Sequence, residues 1–552
     1  MESKLIVNTI KSYLALLAIL LLTGCSRQPA DSEILQAAFD EAEVEAAGEQ
    51  LRGEVLDADA KLTVFRGIPF AKPPLGDLRW RPPQPHEARS GMQQATEFGG
   101  VCPQDQSDSE YFKALAQIFG KSPDVIPATE NIQEDCLYLN VWTAALRSQH
   151  RQPVMVWIYG GGNITGSAHD PDYFGHSLAK RGVVFVSFNY RVGHLGYMAH
   201  PGLSAESPEG ISGNYGILDQ VHALHWVREN IAAFGGDPDN VTILGESAGG
   251  HNIGTLIASP LGKGLFNRAI IQSGGYEINN LYTQAEAEDS GSAIASLLGF
   301  ESSMSPVETV DGMRDLDWRA FIDNPKLAGL GEFRATNIDG YVLPQAKARI
   351  YADGSNNDID IIIGTNANET YMWEPADATV DTFTEHLSTY GEPYATELGE
   401  LMAEDIASDL RLAMDRFGSA EVYRCGSRYI ANEMARQGNN VFYYYFTRIR
   451  PGGEKVLAYH GAEIPYALDT TASWLPADDT DKDLTAAMSQ YWLNFATTGN
   501  PNGDGLPKWP AYDIENKRYQ ELGDNIGPGT DLEPGICDVL DRHLQEKLSA
   551  MH

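Results

Sequence analysis

One segment, Gly245-Glu246-Ser247-Ala248-Gly249, constrains this chain more than any other. It follows Asn240-Val241-Thr242-Ile243-Leu244, an apolar run that reads as a strand. It precedes Asn252-Ile253-Gly254-Thr255-Leu256-Ile257, which is compatible with a helix. A serine flanked by glycines at such a junction fits a sharp strand-to-helix turn that lifts its hydroxyl above the end of a sheet. The flanking glycines relieve the crowding of that turn. The helix behind it aims free N–H groups at the serine, where negative charge can be stabilised. The same five residues could also make a plain glycine-rich turn; the strand before and the helix after supply the context the chemistry requires.

The surrounding sequence supplies more strands. Residues 153–159 and 183–188 are continuous apolar runs, the pattern of strands buried on both faces. Residues 269–273 and 359–364 read as later strands, and residues 218–234 carry helical periodicity. Strands alternating with helices predict a large, mostly parallel central sheet covered on both faces, the α/β-hydrolase arrangement that this type of serine turn serves. The prolines of Gly67-Ile68-Pro69-Phe70-Ala71-Lys72-Pro73-Pro74 predict a loop there. At 552 residues the chain exceeds the ordinary domain size of about 100–200. No repeat divides it, so residues 51–552 are expected to form a single catalytic domain. Helical insertions near 280–335 and 375–435 are expected to cap its sheet.

The N-terminus reads as a targeting segment. Lys4 and Lys11 precede an apolar stretch over residues 14–22, too short to span a bilayer, which ends at Leu22-Thr23-Gly24-Cys25. That ending resembles the lipobox of bacterial lipoproteins. It implies a signal peptide over 1–24, lipidation of Cys25, and a lipidated tether over 25–50; an ordinary signal peptide with a chance cysteine is the plainer reading. Ile34, Leu35, Ala38 and Phe39 share one helical face within the tether. The expected location is exported and lipid-anchored to a bacterial membrane, facing periplasm or exterior. Beyond Cys25, four cysteines remain, Cys102, Cys136, Cys425 and Cys537; an even remainder in an exported chain predicts two disulfides, with three pairings open. No C-x-x-C pair points to a metal. A formal net charge of −36 disfavours a nucleic-acid partner, and oligomeric state is not legible.

A serine needs a base to take its proton, and in this arrangement the acid and then the histidine follow it along the chain. His386, His460, His543 and His552 lie well downstream. His460 stands beside Gly461 in a loop, where catalytic groups collect, whereas the others sit in polar helical segments or at the terminus. Glu369 follows a predicted strand and competes for the role of acid with Asp339 and other carboxylates. Tyr159-Gly160-Gly161-Gly162 ends a predicted strand upstream of the serine. The N–H groups of Gly161, Gly162 and Ala248 are the predicted oxyanion donors; a flexible turn is the plainer reading of the glycines.

Taken with Arg66-Gly67-Ile68-Pro69-Phe70-Ala71, Glu134-Asp135-Cys136-Leu137-Tyr138-Leu139-Asn140-Val141, Asn189-Tyr190-Arg191-Val192-Gly193 and Gly213-Asn214-Tyr215-Gly216-Ile217-Leu218-Asp219-Gln220, these segments resemble the type-B carboxylesterases. That family includes cholinesterases and bacterial para-nitrobenzyl esterases. Phe234-Gly235-Gly236-Asp237-Pro238, Asn494-Phe495-Ala496-Thr497-Thr498-Gly499-Asn500-Pro501-Asn502 and Trp509-Pro510-Ala511-Tyr512 extend the resemblance almost end to end. It implies Ser247 as nucleophile, Glu369 as acid, His460 as base, and disulfides Cys102–Cys136 and Cys425–Cys537. It further implies a serine esterase acting through an acyl-enzyme on small to medium esters, with no metal or organic cofactor. A long-chain lipase, or a non-catalytic surface binding or adhesion protein of the same fold, is the alternative. The loop between Cys102 and Cys136 lacks the tryptophan on which cholinesterases stack choline, so the resemblance does not extend to acetylcholine. Asn163, where an aromatic residue is common, together with Glu246, Met372 and Trp373, are candidate pocket residues; core packing is an equally natural reading of the last two.

Overall fold

A computed structural model describes residues 42–146, 148–276, 278–327 and 336–550. The strands in chain order are β1 (Glu43–Ala46), β2 (Glu49–Arg52), β3 (Glu54–Asp57), β4 (Leu62–Pro69), β5 (Met92–Gln94), β6 (Tyr138–Thr143) and β7 (Gln152–Ile158). They continue as β8 (Val184–Phe188), β9 (Gly236–Glu246), β10 (Arg268–Gln272), β11 (Asp360–Asn366), β12 (Val441–Phe446), β13 (Arg518–Leu522) and β14 (Gly527–Thr530). An 11-stranded sheet runs in the order β14-β13-β12-β11-β10-β9-β7-β8-β6-β4-β3, and β1, β2 and β5 form a small 3-stranded sheet beside it. Every pair from β8 through β7, β9, β10, β11 and β12 to β13 is parallel. The edges are antiparallel: β13 with β14 at one side, and β8 with β6, β6 with β4 and β4 with β3 at the other.

This is the expected α/β-hydrolase sheet. Its central strands are apolar on both faces because helices cover both: Val154, Val156, Ile243, Ile270 and Ile362 are all fully buried. Helices Tyr215–Asn230 and Asp479–Thr498 pack against β9, the latter also against β7. The helix Ala248–Ala258 has every residue buried, which fits its apolar sequence and its place directly behind the serine.

Two boundaries differ from expectation. The tether through residue 50 ends earlier, because β1 and β2 already form a hairpin whose turn uses left-handed Ala47 and Gly48; the Ala/Glu-rich composition had hidden a strand pair. Gly67-Ile68-Pro69 is not loop but the end of β4, which tolerates proline there because β3 pairs only with Leu62, Thr63 and Val64 and leaves that side of Pro69 open. The signal peptide, Cys25, the helical face at 34–39 and His552 lie outside the described residues.

The helices Gln284–Leu297, Pro306–Arg314 and Arg319–Ile322 fall in the expected 280–335 insertion. The second insertion holds the helices Val380–Ser388, Tyr394–Ser408 and Leu410–Ser419. It buries its own apolar cluster, in which Phe383, Leu398, Met402 and Phe417 meet Ile536 and Val539 of the C-terminal helix Pro534–Ala550. Disulfides join Cys102 to Cys136 and Cys425 to Cys537. Among the described residues no helix is long and apolar enough to cross a membrane.

Candidate active site

Ser247 sits between β9 and the helix Ala248–Ala258 with φ 53° and ψ −124°, a conformation an L-residue adopts only under constraint. The constraint is close backbone approach. A Cβ on Gly249 would lie 1.9 Å from the Ile158 carbonyl oxygen of β7, and one on Gly245 would lie 2.4 Å from the same atom. Only glycine fits either place. The Ser247 N–H donates to Gln272 O at 2.9 Å, pinning the turn to the end of β10.

The glycine loop leaves β7 alongside this turn. A Cβ on Gly160 would meet the Ser247 Cβ at 3.0 Å, so the two segments touch. Gly161 and Gly162 follow with φ of 95° and 63°, and both line the same cavity as Ser247. Ala248 is the first residue of its helix, so its N–H has no acceptor one turn back. The predicted oxyanion donors are therefore gathered around the serine.

Glu369 and His460 arrive from the ends of later strands. Glu369 is fully buried. Its Oε1 accepts from Ser273 Oγ and from the Asn366 N–H, each at 2.6 Å, and its Oε2 lies 2.6 Å from His460 Nδ1. This fixes the imidazole with Nε2 turned to the cavity. There Nε2 lies 3.2 Å from Glu246 Oε1, without the alignment of a hydrogen bond. Tyr423 covers the imidazole at 4.7 Å between ring centroids, and Trp373 meets its edge at 5.7 Å. Tyr111 OH donates to the His460 carbonyl at 2.8 Å. Glu463 stands behind, held by Gln272 and Asn366.

Three buried glutamates around one imidazole set its electrostatics. Burial pushes the Glu246 carboxyl up to about 8, against the pull of His460, with Glu463 and Glu369 adding repulsion. Burial also raises Glu463, and the Glu369 carboxylate raises it further. For His460, burial favours the neutral ring, but the carboxylates of Glu246 and Glu369 outweigh it and push the imidazole up to about 9.

The cavity holding these groups has a volume of about 420 Å³. Glu246 and Trp373 line it. Asn163 does not. It is fully buried with φ 58°, its amide exchanges hydrogen bonds of 3.0 and 2.8 Å with Asn252, and the exposed Ile164 reaches the cavity in its place. Met372 likewise packs against the main core. Asp339 is a turn residue whose Oδ1 accepts three successive N–H groups, from Tyr341, Val342 and Leu343. His386 pairs with Glu421 at 2.9 Å away from the cavity, and His543 packs on Tyr390 and Tyr394. Among the described residues no group of His, Cys, Asp or Glu is placed to hold a metal ion.

Several cavity residues have no signal in the sequence. Tyr423 belongs to a π-helical turn, Ala420–Arg424, which shifts the register of the helical run and aims its ring at His460. Asp108, Asp172 and Trp474 also line the cavity from distant segments.

Comparison with known proteins gives a consistent picture. The carboxylesterase family pattern matches residues 40–534. A fumonisin B1 esterase of Sphingopyxis macrogoltabida is 34% identical over 493 residues, covering 87% of each chain. The para-nitrobenzyl esterase of Bacillus subtilis is 33% identical over 485 residues, covering 85% of this chain and 93% of that protein. Among solved structures, a Geobacillus stearothermophilus carboxylesterase superposes with a TM-score of 0.78 at 31% identity, over 90% of this chain and 99% of the other.

Proposed function

This chain belongs to the carboxylesterase family and is an ester-hydrolysing serine hydrolase, and from that premise we propose that Ser247, His460 and Glu369 turn over small to medium carboxylic esters through an acyl-enzyme. The observation that carries the reading is His460, clamped by Glu369 at 2.6 Å, facing a cavity into which the strained Ser247 also opens.

In the proposed sequence His460 Nε2 takes the Ser247 proton as Oγ attacks the ester carbonyl. The N–H groups of Gly161, Gly162 and Ala248 hold the oxyanion, each donor contributing about 2.7–4 kcal/mol to the transition state. The tetrahedral intermediate expels the alcohol, which leaves with the proton from His460. Water, deprotonated by the same imidazole, then attacks the acyl carbon, and Ser247 Oγ regains its proton as the carboxylic acid leaves. A cavity of about 420 Å³ favours small to medium esters over long-chain lipids. The intact serine, histidine and acid favour catalysis over an adhesion role. The relatives' names point to different substrates, so family membership alone does not choose one.

Ser247→Ala is expected to lower kcat for a short-chain aryl ester by about 10⁶-fold with the fold intact; normal turnover by that variant would refute the assignment. The proposal extends to location. The apolar run ending at Cys25 and the two disulfides support export and lipid anchoring. Cys25→Ser is expected to move the protein from the membrane fraction to the soluble one; retention in the membrane would dismiss the anchor.

A further inference from the structure

One wall of the cavity is acidic. Asp108 stands in the first turn of the helix Ser107–Ile118, and Asp172 in the short turn Pro171–Tyr173 that follows the glycine loop. Asp170 caps that turn, its Oδ1 accepting the Asp172 N–H at 2.8 Å. The Asp172 residue is only 8% exposed, yet among the described residues no donor hydrogen-bonds its carboxylate and no cation lies within ion-pair distance. Arg450 is the basic group whose charge reaches it, but that guanidinium stacks on Tyr466 at 4.1 Å and donates to the Pro476 carbonyl at 3.3 Å. Burial, with repulsion from Asp170, pushes the Asp172 carboxyl well above the usual carboxylate range, and no donor among the described residues offsets it. The side that could supply one is the cavity.

Apart from His460, the charged groups of the lining have the same sign. Asp108, Asp172 and Glu246 face the cavity, and no lysine or arginine does. Aromatic rings, among them Tyr111, Tyr173, Tyr459 and Trp474, complete the surface and favour a cation through their faces. A net charge of −36 draws cations toward the molecule. Burial, with repulsion from Asp170, holds the Asp108 carboxyl up at about 7, a group that ionises readily once a positive charge arrives.

We propose that Asp172 and Asp108 form a subsite for a protonated primary or secondary amine carried by the ester substrate. A protonated amine draws these raised carboxyls into their ionised form and donates N–H bonds to them, which a quaternary ammonium cannot do. The inference rests on the ester-hydrolysing reading of the same cavity and names the substrate class within it.

The test measures dissociation constants on the full chain by calorimetry, which does not depend on turnover. The probes are n-hexylammonium, its neutral counterpart hexan-1-ol, and N,N,N-trimethylhexylammonium. Hexylammonium is expected to bind about tenfold more tightly than either of the others. Asp172→Asn is expected to bring the three within about twofold. Asp108→Asn, at a less buried position, provides the same reading should Asp172→Asn fail to fold. Equal binding of amine and alcohol by the wild type would overturn the subsite, as would a preference that survives both substitutions. A quaternary probe matching the primary amine would overturn N–H donation and assign the cation to the rings. Failure of the parent reading shows separately, as neutral aryl-ester turnover that survives Ser247→Ala.

Discussion

The serine turn and the helical layer over residues 380–437 hold their parts in place by opposite means. At the turn there is no spare volume: Gly245, Gly249 and Gly160 let three backbone segments come closer than any side chain would allow. In the helical layer the packing is local. A small apolar cluster, separate from the main core, and the Cys425–Cys537 bond tie the layer to the C-terminal helix. Yet both regions reach the same cavity, one through Ser247 and the other through Tyr423, which covers His460 two residues before Cys425. Precision in this site therefore comes from excluded volume where the Ser247 hydroxyl sits and from a cross-link where the ring that covers His460 sits.

The contrast can be broken most directly at Gly249. A methyl group there would overlap the Ile158 carbonyl, and no flexible side chain is available to yield. Gly249→Ala is expected to cost more than about 4 kcal/mol in chemical denaturation. A loss under about 1 kcal/mol would show that the turn has slack. Next in size, replacing both Cys425 and Cys537 by serine releases a link spanning 112 residues. The expected cost is about 2–5 kcal/mol, with the helical layer melting before the sheet, so that two transitions replace one in calorimetry. A single unshifted transition would mean that the apolar cluster alone suffices.

Smallest, and confined to charge, is Glu246→Gln. Anionic Glu246 stabilises the protonated form of His460, whose imidazole is held up at about 9. In the proposed mechanism the neutral ring is the base. Removing the charge therefore lowers that pKa, and the acid limb of kcat/KM should move to lower pH by about one unit, worth about 1.4 kcal/mol. An unmoved limb would assign the elevated value to Glu369 alone.

Much of this was legible in the sequence because it depends on local geometry. The strands at 153–158 and 240–244, the serine turn and the glycine loop each announce themselves through apolar runs and residues that only a tight backbone needs. Glu369 and His460 could be narrowed by chain order, and the resemblance placed them. What stayed hidden depends on long-range meeting. Asn163 looked like a pocket residue by position, but its buried amide pairs with Asn252 instead. Tyr423 reaches His460 only because of a π-helical turn, for which its neighbours carry no marker. The hairpin Glu43–Arg52 was masked by alanines and glutamates that suit a helix equally well.

The cavity walls have a consequence for how such a protein can change over generations. The residues that line the cavity come from segments near 108, 172, 373, 423 and 474, each anchored to a different part of the scaffold. One segment can drift without disturbing the others or the atoms that break the ester bond. New substrate preferences can thus accumulate a patch at a time on an unchanged reaction, as expected of a lineage whose members keep about a third of their residues in common and bear names for different substrates.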